Sequence, residues 1–394
     1  MKRILIVTSA LGYGIGGSEK ALIEMLKRMD TQRYDISVLS LTGEGEQPFY
    51  WDAIHTTYGY GDVLSMTEPF RKAMAHAGDY PPGALFSKLL VSIVSRGARH
   101  DISDYIWERY KRYIAPLPEE YDVAIGYGVG MATYFVADKV RAKHKIFWTD
   151  TDLQKAHMDL GYYKQVFAKG DTIVVVADSA RQRLASLFPD VQDKIIVVRN
   201  IVPVEELRAL AAQGEGFTDG FDGTRILSVG RLCEAKAFHL AIQAAYILRK
   251  KKYRFKWYII GFGTLEKELR KQISGLGLEN DFVLLGQRFN PYPFFMQTDL
   301  YVQTSVYEGS PITIEEALAF GKPIVTTNFP AAYEKIQDGK NGIIVDMDAQ
   351  SVADGVEALL ADQQKYRAMR EYQIANPLAY DRVIVEFQAY LDRI

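Results

Sequence analysis

Short apolar runs rich in β-branched residues alternate with segments of helical periodicity along this chain. Lys2 to Ser9 (KRILIVTS) is the first such run, and a glycine-rich loop follows it. Ser18 to Met29 then places Leu22, Met25 and Leu26 at helical spacing, and Tyr34 to Leu41 (YDISVLSL) returns to strand. Strand, loop, helix and strand make a βαβ unit, which implies a parallel sheet with a right-handed crossover. From about residue 43 to residue 118 the pattern turns irregular, with proline, glycine and aromatic clusters. Beyond it, Tyr121 to Tyr127, Lys145 to Thr149, Asp171 to Ala177 and Ile195 to Val198 read as strands. A polar, glycine-rich interval, Ala212 to Thr224 (AQGEGFTDGFDGT), breaks the pattern and reads as a domain linker. Arg225 to Val229, Trp257 to Ile260, Phe282 to Leu285, Leu300 to Thr304, Pro323 to Thr327 and Gly342 to Val345 are then strands separated by helical segments. The pattern predicts an α/β protein of two doubly wound halves, with ligands beyond the carboxyl ends of the strands.

The first loop carries Gly12, Gly14 and Gly17 in the spacing G-x-G-x-x-G. A dinucleotide site also needs an acid at the end of the second strand, for the ribose hydroxyl. Here that strand runs out at Ser40-Leu41-Thr42, and the next acids, Glu44 and Glu46, fall in a loop. The fingerprint is incomplete, which leaves a tight turn or an anion-binding helix mouth.

Composition narrows the field. At 394 residues the chain is long enough for two domains, and 48% hydrophobic with 24% charged residues is the balance of a soluble globular protein. A formal net charge of −2 argues against nucleic acid as the main partner. The single cysteine, Cys233, excludes a disulfide framework and fits a reducing cytoplasm. The apolar start MKRILIVTS is too short for a signal peptide, and no run is long enough to span a bilayer.

Candidate chemistry gathers in the second half. Gly230, Arg231 and Lys236 (SVGRLCEAK) directly follow a strand, where a guanidinium and an ammonium can neutralise a diphosphate. Ile259 to Thr264 (IIGFGT) is another strand and glycine turn. Tyr307 to Gly321 (YEGSPITIEEALAFG) predicts a helix with Ser310 as N-cap, Pro311 in the first turn and Gly321 closing it. Ile314, Ala317 and Leu318 form its buried stripe, with Glu315 and Glu316 off it. Glu308 and Glu316 stand at the spacing E-x7-E, so one loop carboxylate and one helix carboxylate can each accept from sugar hydroxyls.

This constellation resembles the retaining nucleotide-sugar glycosyltransferases of family 4, whose GT-B architecture is two Rossmann-like domains facing each other across a cleft. The resemblance rests on Gly16-Gly17-x-Glu19, on Gly230-Arg231-Leu232-x3-Lys236 and on Asn290-Pro291-x-Pro293. Ser305 to Ala319 and Asp338-Gly339-x-Asn341-Gly342 complete it. It implies an acceptor-side domain over residues 1–205, a donor-binding domain over 206–376 and a final segment, 377–394, packing back on the first. By the same resemblance, Arg231 and Lys236 hold the donor diphosphate, Glu308 meets the donor sugar near its C3 and C4 hydroxyls, and Glu316 binds the ribose. Gly230, Gly263, Arg288 and the run Gly309, Ser310, Pro311 and Ile312 complete the donor side, with Gly16 and Gly17 approaching from the other domain.

The implied donor is a UDP-sugar, and the implied acceptor is a carbohydrate or lipid-linked glycan in polysaccharide or glycoconjugate assembly. Neither cofactor nor metal is implied. Two positions depart from the family. Asp150, in Trp148-Thr149-Asp150-Thr151-Asp152, stands where many relatives carry a histidine, either as an acceptor contact or base or as a structural loop acid; His157 reads as a helix-surface residue. Ala237 follows Lys236 where relatives often have glycine. Leu85 to Ala115 mixes apolar clusters with basic residues, and reads either as a pair of surface helices or as a peripheral contact with the inner face of an anionic membrane. An inverting enzyme, a catalytically inactive nucleotide-sugar-binding subunit and an oxidoreductase are the rival readings.

Overall fold

The computed structural model describes residues 1–9, 17–41, 103–114, 116–378 and 380–394. Gly12, Gly14, Gly16 and, of the proposed membrane segment, residues 85–102 and 115 lie outside them. The chain divides into two compact units, Met1–Asn200 with Arg382–Ile394, and Ile201–Asp381.

In the first unit, β1 (Lys2–Thr8), β2 (Tyr34–Ser40), β3 (Glu120–Tyr127), β4 (Arg141–Thr149), β5 (Thr172–Val175) and β6 (Ile195–Val197) form one sheet. Their order is β2-β1-β3-β4-β5-β6, and every pairing is parallel. Ile4, Ile6 and Val7 are fully buried, as are Ile173 and Val174. Helices cover both faces of such a sheet, so its strands read as unbroken apolar runs rather than as alternation. The helix Asp381–Arg393 belongs to this unit and buries Ile384, Phe387 and Leu391 at helical spacing. The Phe387 ring meets Trp148 edge-on at 5.5 Å, and the Tyr34 hydroxyl donates to Asp392 Oδ1 at 2.6 Å.

The second unit holds β7 (Thr224–Val229), β8 (Phe255–Ile260), β9 (Phe282–Gly286), β10 (Leu300–Gln303), β11 (Ile324–Thr327) and β12 (Gly342–Val345). Their order is β12-β11-β10-β7-β8-β9, again all parallel. Counted within the unit this is the doubly wound order of a dinucleotide-binding fold, and its topological switch lies between β7 and β10.

The interval 212–223 is not a linker between the units, since the division falls between Asn200 and Ile201. It is pinned to the second sheet. Phe217 packs on Tyr258 at 4.3 Å, and Asp219 accepts from the Tyr258 hydroxyl at 2.6 Å and from Lys256 at 2.9 Å. Glycine content mimicked a linker, but paired aromatic and acidic side chains anchor the stretch. Among the described residues, no helix is long and apolar enough to cross a membrane.

Candidate functional site

The switch between β7 and β10 sets two strand-end loops side by side. After β7 come Gly230 and Arg231, then a 3-10 turn, Glu234–Lys236, that closes on Ala237 in the left-handed region (φ 45). Alanine takes that conformation at a cost of about 1–2 kcal/mol, a strain that glycine would not carry. The turn is tied to the loop after β10: Thr304 Oγ1 donates to the Lys236 carbonyl at 2.8 Å, and the Val306 N–H donates to the Ala235 carbonyl at 2.8 Å.

Those ties deliver Lys236 to Glu308. The ammonium donates to Glu308 Oε1, with the two side chains only 17% and 15% exposed. Gln303 Nε2 and Ser305 Oγ donate to the same oxygen at 2.9 and 2.6 Å. Hydrogen bonds to a charged acceptor contribute about 1.5–3 kcal/mol each, so this is the best-held carboxylate of the site. A Cβ on Gly230 would lie 3.0 Å from Lys236 Cε, so the glycine leaves room for the lysine stem. Arg231 is exposed, and no ion pair engages it among the described residues.

The β8 loop seals against the β7 loop. The Leu232 N–H donates to the Phe262 carbonyl at 2.8 Å and the Leu265 N–H to the Leu232 carbonyl at 3.0 Å. A Cβ on Gly263 would sit 2.4 Å from the Leu232 carbonyl oxygen. Backbone packing by itself therefore accounts for glycine at 263. Arg288 is exposed in the loop after β9, where its guanidinium donates to the neighbouring Gln287 carbonyl at 3.0 Å.

The helix Ile312–Ala319 begins one residue later than Ser310 capping would place it. Pro311 is the N-cap and no side chain caps the first turn. The Ile312 N–H instead donates to the Ser310 carbonyl at 2.9 Å. Its C-terminus follows the expected chemistry: Gly321 is left-handed (φ 63), and the Gly321 and Lys322 N–H groups return to the Leu318 and Ala317 carbonyls. Glu315 and Glu316 are buried rather than off the apolar stripe, at 1% and 2% exposure. Glu315 accepts from Lys335 and from the Tyr380 hydroxyl, both at 2.7 Å. Glu316 accepts from the Tyr292 hydroxyl at 3.0 Å. Gly309 and Ser310 are partly exposed in the loop between Glu308 and this helix, and Pro311 is buried.

In the first unit, the Ser18 hydroxyl donates to Asp150 Oδ2. Ser18 lies in the opening turn of the helix Gly17–Arg28, where a carboxylate meets the positive end of the helix dipole. Gly17 is the exposed first residue of that helix, so Asp150 is joined to the end of the glycine loop. Burial pushes the Tyr127 phenol well above its ordinary range, with Asp150 and Glu19 adding to the effect. His157 sits in a turn with φ 57, not on a helix.

Gln303, Thr304, Ser305 and Tyr292 carry this site and were not singled out from the sequence. The readable trace of Gln303 is a glutamine closing an otherwise apolar strand, LYVQ.

Residues 221–375 match the family model of the glycosyl transferases group 1. An uncharacterized glycosyltransferase of Methanocaldococcus jannaschii is 28% identical over 169 residues, 42% of each chain. The N-acetylgalactosamine-N,N'-diacetylbacillosaminyl-diphospho-undecaprenol 4-alpha-N-acetylgalactosaminyltransferase of Campylobacter jejuni is 29% identical over 220 residues, 55% of this chain and 58% of that one. A putative colanic acid biosynthesis glycosyltransferase, WcaL of Salmonella typhimurium, is 30% identical over 202 residues, 48% of each. The matches thus span 42%, 58% and 48% of those relatives' own lengths. Among solved structures, Anabaena HepE in complex with UDP and glucose superposes with a TM-score of 0.69 at 16% identity, over 100% of both chains. The apo form of the lipopolysaccharide outer core galactosyltransferase WaaB gives 0.60 at 14% identity, again over 100% of both.

Proposed function

With a GT-B fold and a second unit matched to the glycosyl transferases group 1, we propose that this protein moves a sugar from a nucleoside diphosphate sugar to a carbohydrate hydroxyl. The observation that carries the reading is the Lys236–Glu308 pair at the switch point of the second sheet, beside exposed Arg231. A cation for the diphosphate and a carboxylate for sugar hydroxyls stand there in direct contact. Arg231 and Lys236 meet the phosphate charge that grows as the anomeric C–O bond breaks, which is where preorganised charge lowers a barrier. A bond then forms from the acceptor oxygen to the anomeric carbon, and the acceptor proton passes to the departing phosphate oxygen. Attack on the same face gives retention, and the two cations supply the electrostatics without a metal.

The UDP in the HepE complex supports a uridine donor. A diphospho-undecaprenol acceptor in the Campylobacter relative's name supports a lipid-linked glycan, and the WcaL relative supports polysaccharide assembly. A lipid-linked acceptor would bring the reaction to a membrane surface, and the cytoplasmic face is the one this reading favours.

The test is a panel of UDP-, GDP- and ADP-sugars assayed for nucleotide release with and without a lipid-linked glycan, with the product's anomeric configuration read by NMR. One donor of the panel should turn over with retention, and Glu308→Ala should lower turnover by a factor of about a hundred or more while melting as the wild type does. Wild-type turnover in Glu308→Ala overturns the assignment of the site; an inverted product overturns the mechanism.

A further inference from the structure

We propose that Gln303 is a positioning residue for Glu308, deciding which oxygen of that carboxylate is offered to the donor sugar; this rests on the reading of Glu308 as the sugar-binding acid. Gln303 ends β10 and is 3% exposed. Tyr301 Oη and Thr313 Oγ1 donate to its Oε1 at 3.0 and 2.9 Å. Its Nε2 donates to Glu308 Oε1 at 2.9 Å and to Ser305 Oγ at 3.2 Å.

A carboxylate accepts and never donates, so the amide must turn its NH₂ end to Glu308. The two hydroxyls on the far side hold it in that orientation. Burial raises the Tyr301 phenol above its ordinary range, so it remains a donor. Thr313 sits on the helix Ile312–Ala319, so the amide also links that helix to the end of β10.

The bonds to Glu308 are one-sided. Lys236, Gln303 and Ser305 all donate to Oε1, and no described residue donates to Oε2. One oxygen is consumed by the protein and the other is left to an incoming hydroxyl. Lysine alone would leave the carboxylate free to turn, because an ammonium is a point charge without directional preference. The planar amide, fixed at both ends, supplies the missing direction. Sugar epimers differ in where a hydroxyl points, so the orientation of Oε2 is a specificity element as well as a catalytic one.

The experiment compares wild type, Gln303→Leu and Gln303→Glu, with melting followed for each. Calorimetry with UDP alone reports the phosphate and nucleotide contacts, and initial rates with the UDP-sugar chosen by the donor panel report the sugar contacts. Gln303→Leu should bind UDP within about twofold of wild type while kcat falls roughly 10- to 100-fold and KM changes little. Gln303→Glu places a second carboxylate against Glu308, so one of the two holds its proton to higher pH. Relative to the wild type at each pH, its kcat/KM should fall about tenfold or more from pH 5 to 8, as the introduced acid loses the proton by which it donates to Glu308. Wild-type kcat/KM in Gln303→Leu overturns the proposal, as does equal loss of UDP binding and turnover, or a Gln303→Glu pH profile that overlays the wild type. Failure of the wild-type protein to bind UDP overturns the reading of the site itself, separately from the role of Gln303.

Discussion

At the scale of single residues, the site separates side chains that meet a ligand from those that let the loops close. Gly263 belongs to the second kind. A methyl group there collides with the Leu232 carbonyl oxygen at 2.4 Å, and backbone on both sides cannot yield cheaply. Gly263→Ala should lower stability by about 1–3 kcal/mol, the usual cost of overpacking, and lower the melting temperature accordingly. Once folded at reduced temperature, it should retain UDP binding; selective loss of UDP affinity with unchanged melting would show that the glycine serves the ligand instead. Lys322 offers a second measurement. Burial holds its ammonium down to about 8, while its Nζ donates to the Met296 and Thr298 carbonyls at 2.8 and 2.7 Å. An unfolded lysine titrates near 10.4, so between about pH 8 and that value the unfolded chain binds more protons than the folded one. Stability from this group is therefore fullest above that window and is lost as pH falls through 8. Melting of the wild type against Lys322→Met, followed from pH 7.5 to 10, should shift in the wild type's favour as pH rises.

At the scale of elements, the helix Ile312–Ala319 shows how far the sequence could be read. Its C-terminus was legible because left-handed glycine and a returning pair of N–H groups are local chemistry, as at Gly321 and Lys322. Its start was not, since Pro311 took the cap position that Ser310 could equally have filled. The strands were legible throughout, because a parallel sheet covered on both faces needs continuous apolar runs. Partners distant in sequence left no such trace. Ser18 bonds Asp150 across 132 positions, and Lys236 meets Glu308 across 72. Glu315 looked like a solvated helix acid, yet it pairs with Lys335 and Tyr380 at 1% exposure. Removing the cation leaves an uncompensated buried charge, so Lys335→Met should cost about 3–5 kcal/mol. Replacing Lys335 and Glu315 together by Met and Leu should recover much of that loss, since a buried pair is often exchanged for apolar residues at little cost. Denaturant titration of the single and double variants measures both.

At the scale of the whole molecule, the chain leaves the first unit at Asn200 and rejoins it at Arg382. The second unit is thus continuous in sequence, and the first is not. Residues 201–381 expressed alone should fold cooperatively and bind UDP, because β7 to β12 and the Lys236–Glu308 network all lie within them. Calorimetric unfolding with and without UDP checks this, and an unfolded or UDP-blind fragment would refute it. Residues 1–200 alone lack the helix that covers Trp148 and Tyr34, and should expose apolar surface. The same arrangement has a consequence during synthesis. A ribosome delivers the chain from its first residue at about 5–20 residues per second, and domains usually fold in that order. Here the earlier unit must wait, its last helix still unmade, until the later one has emerged. The nascent protein therefore matures from its second half first, and the interval before its final residues appear is when chaperones have their opening.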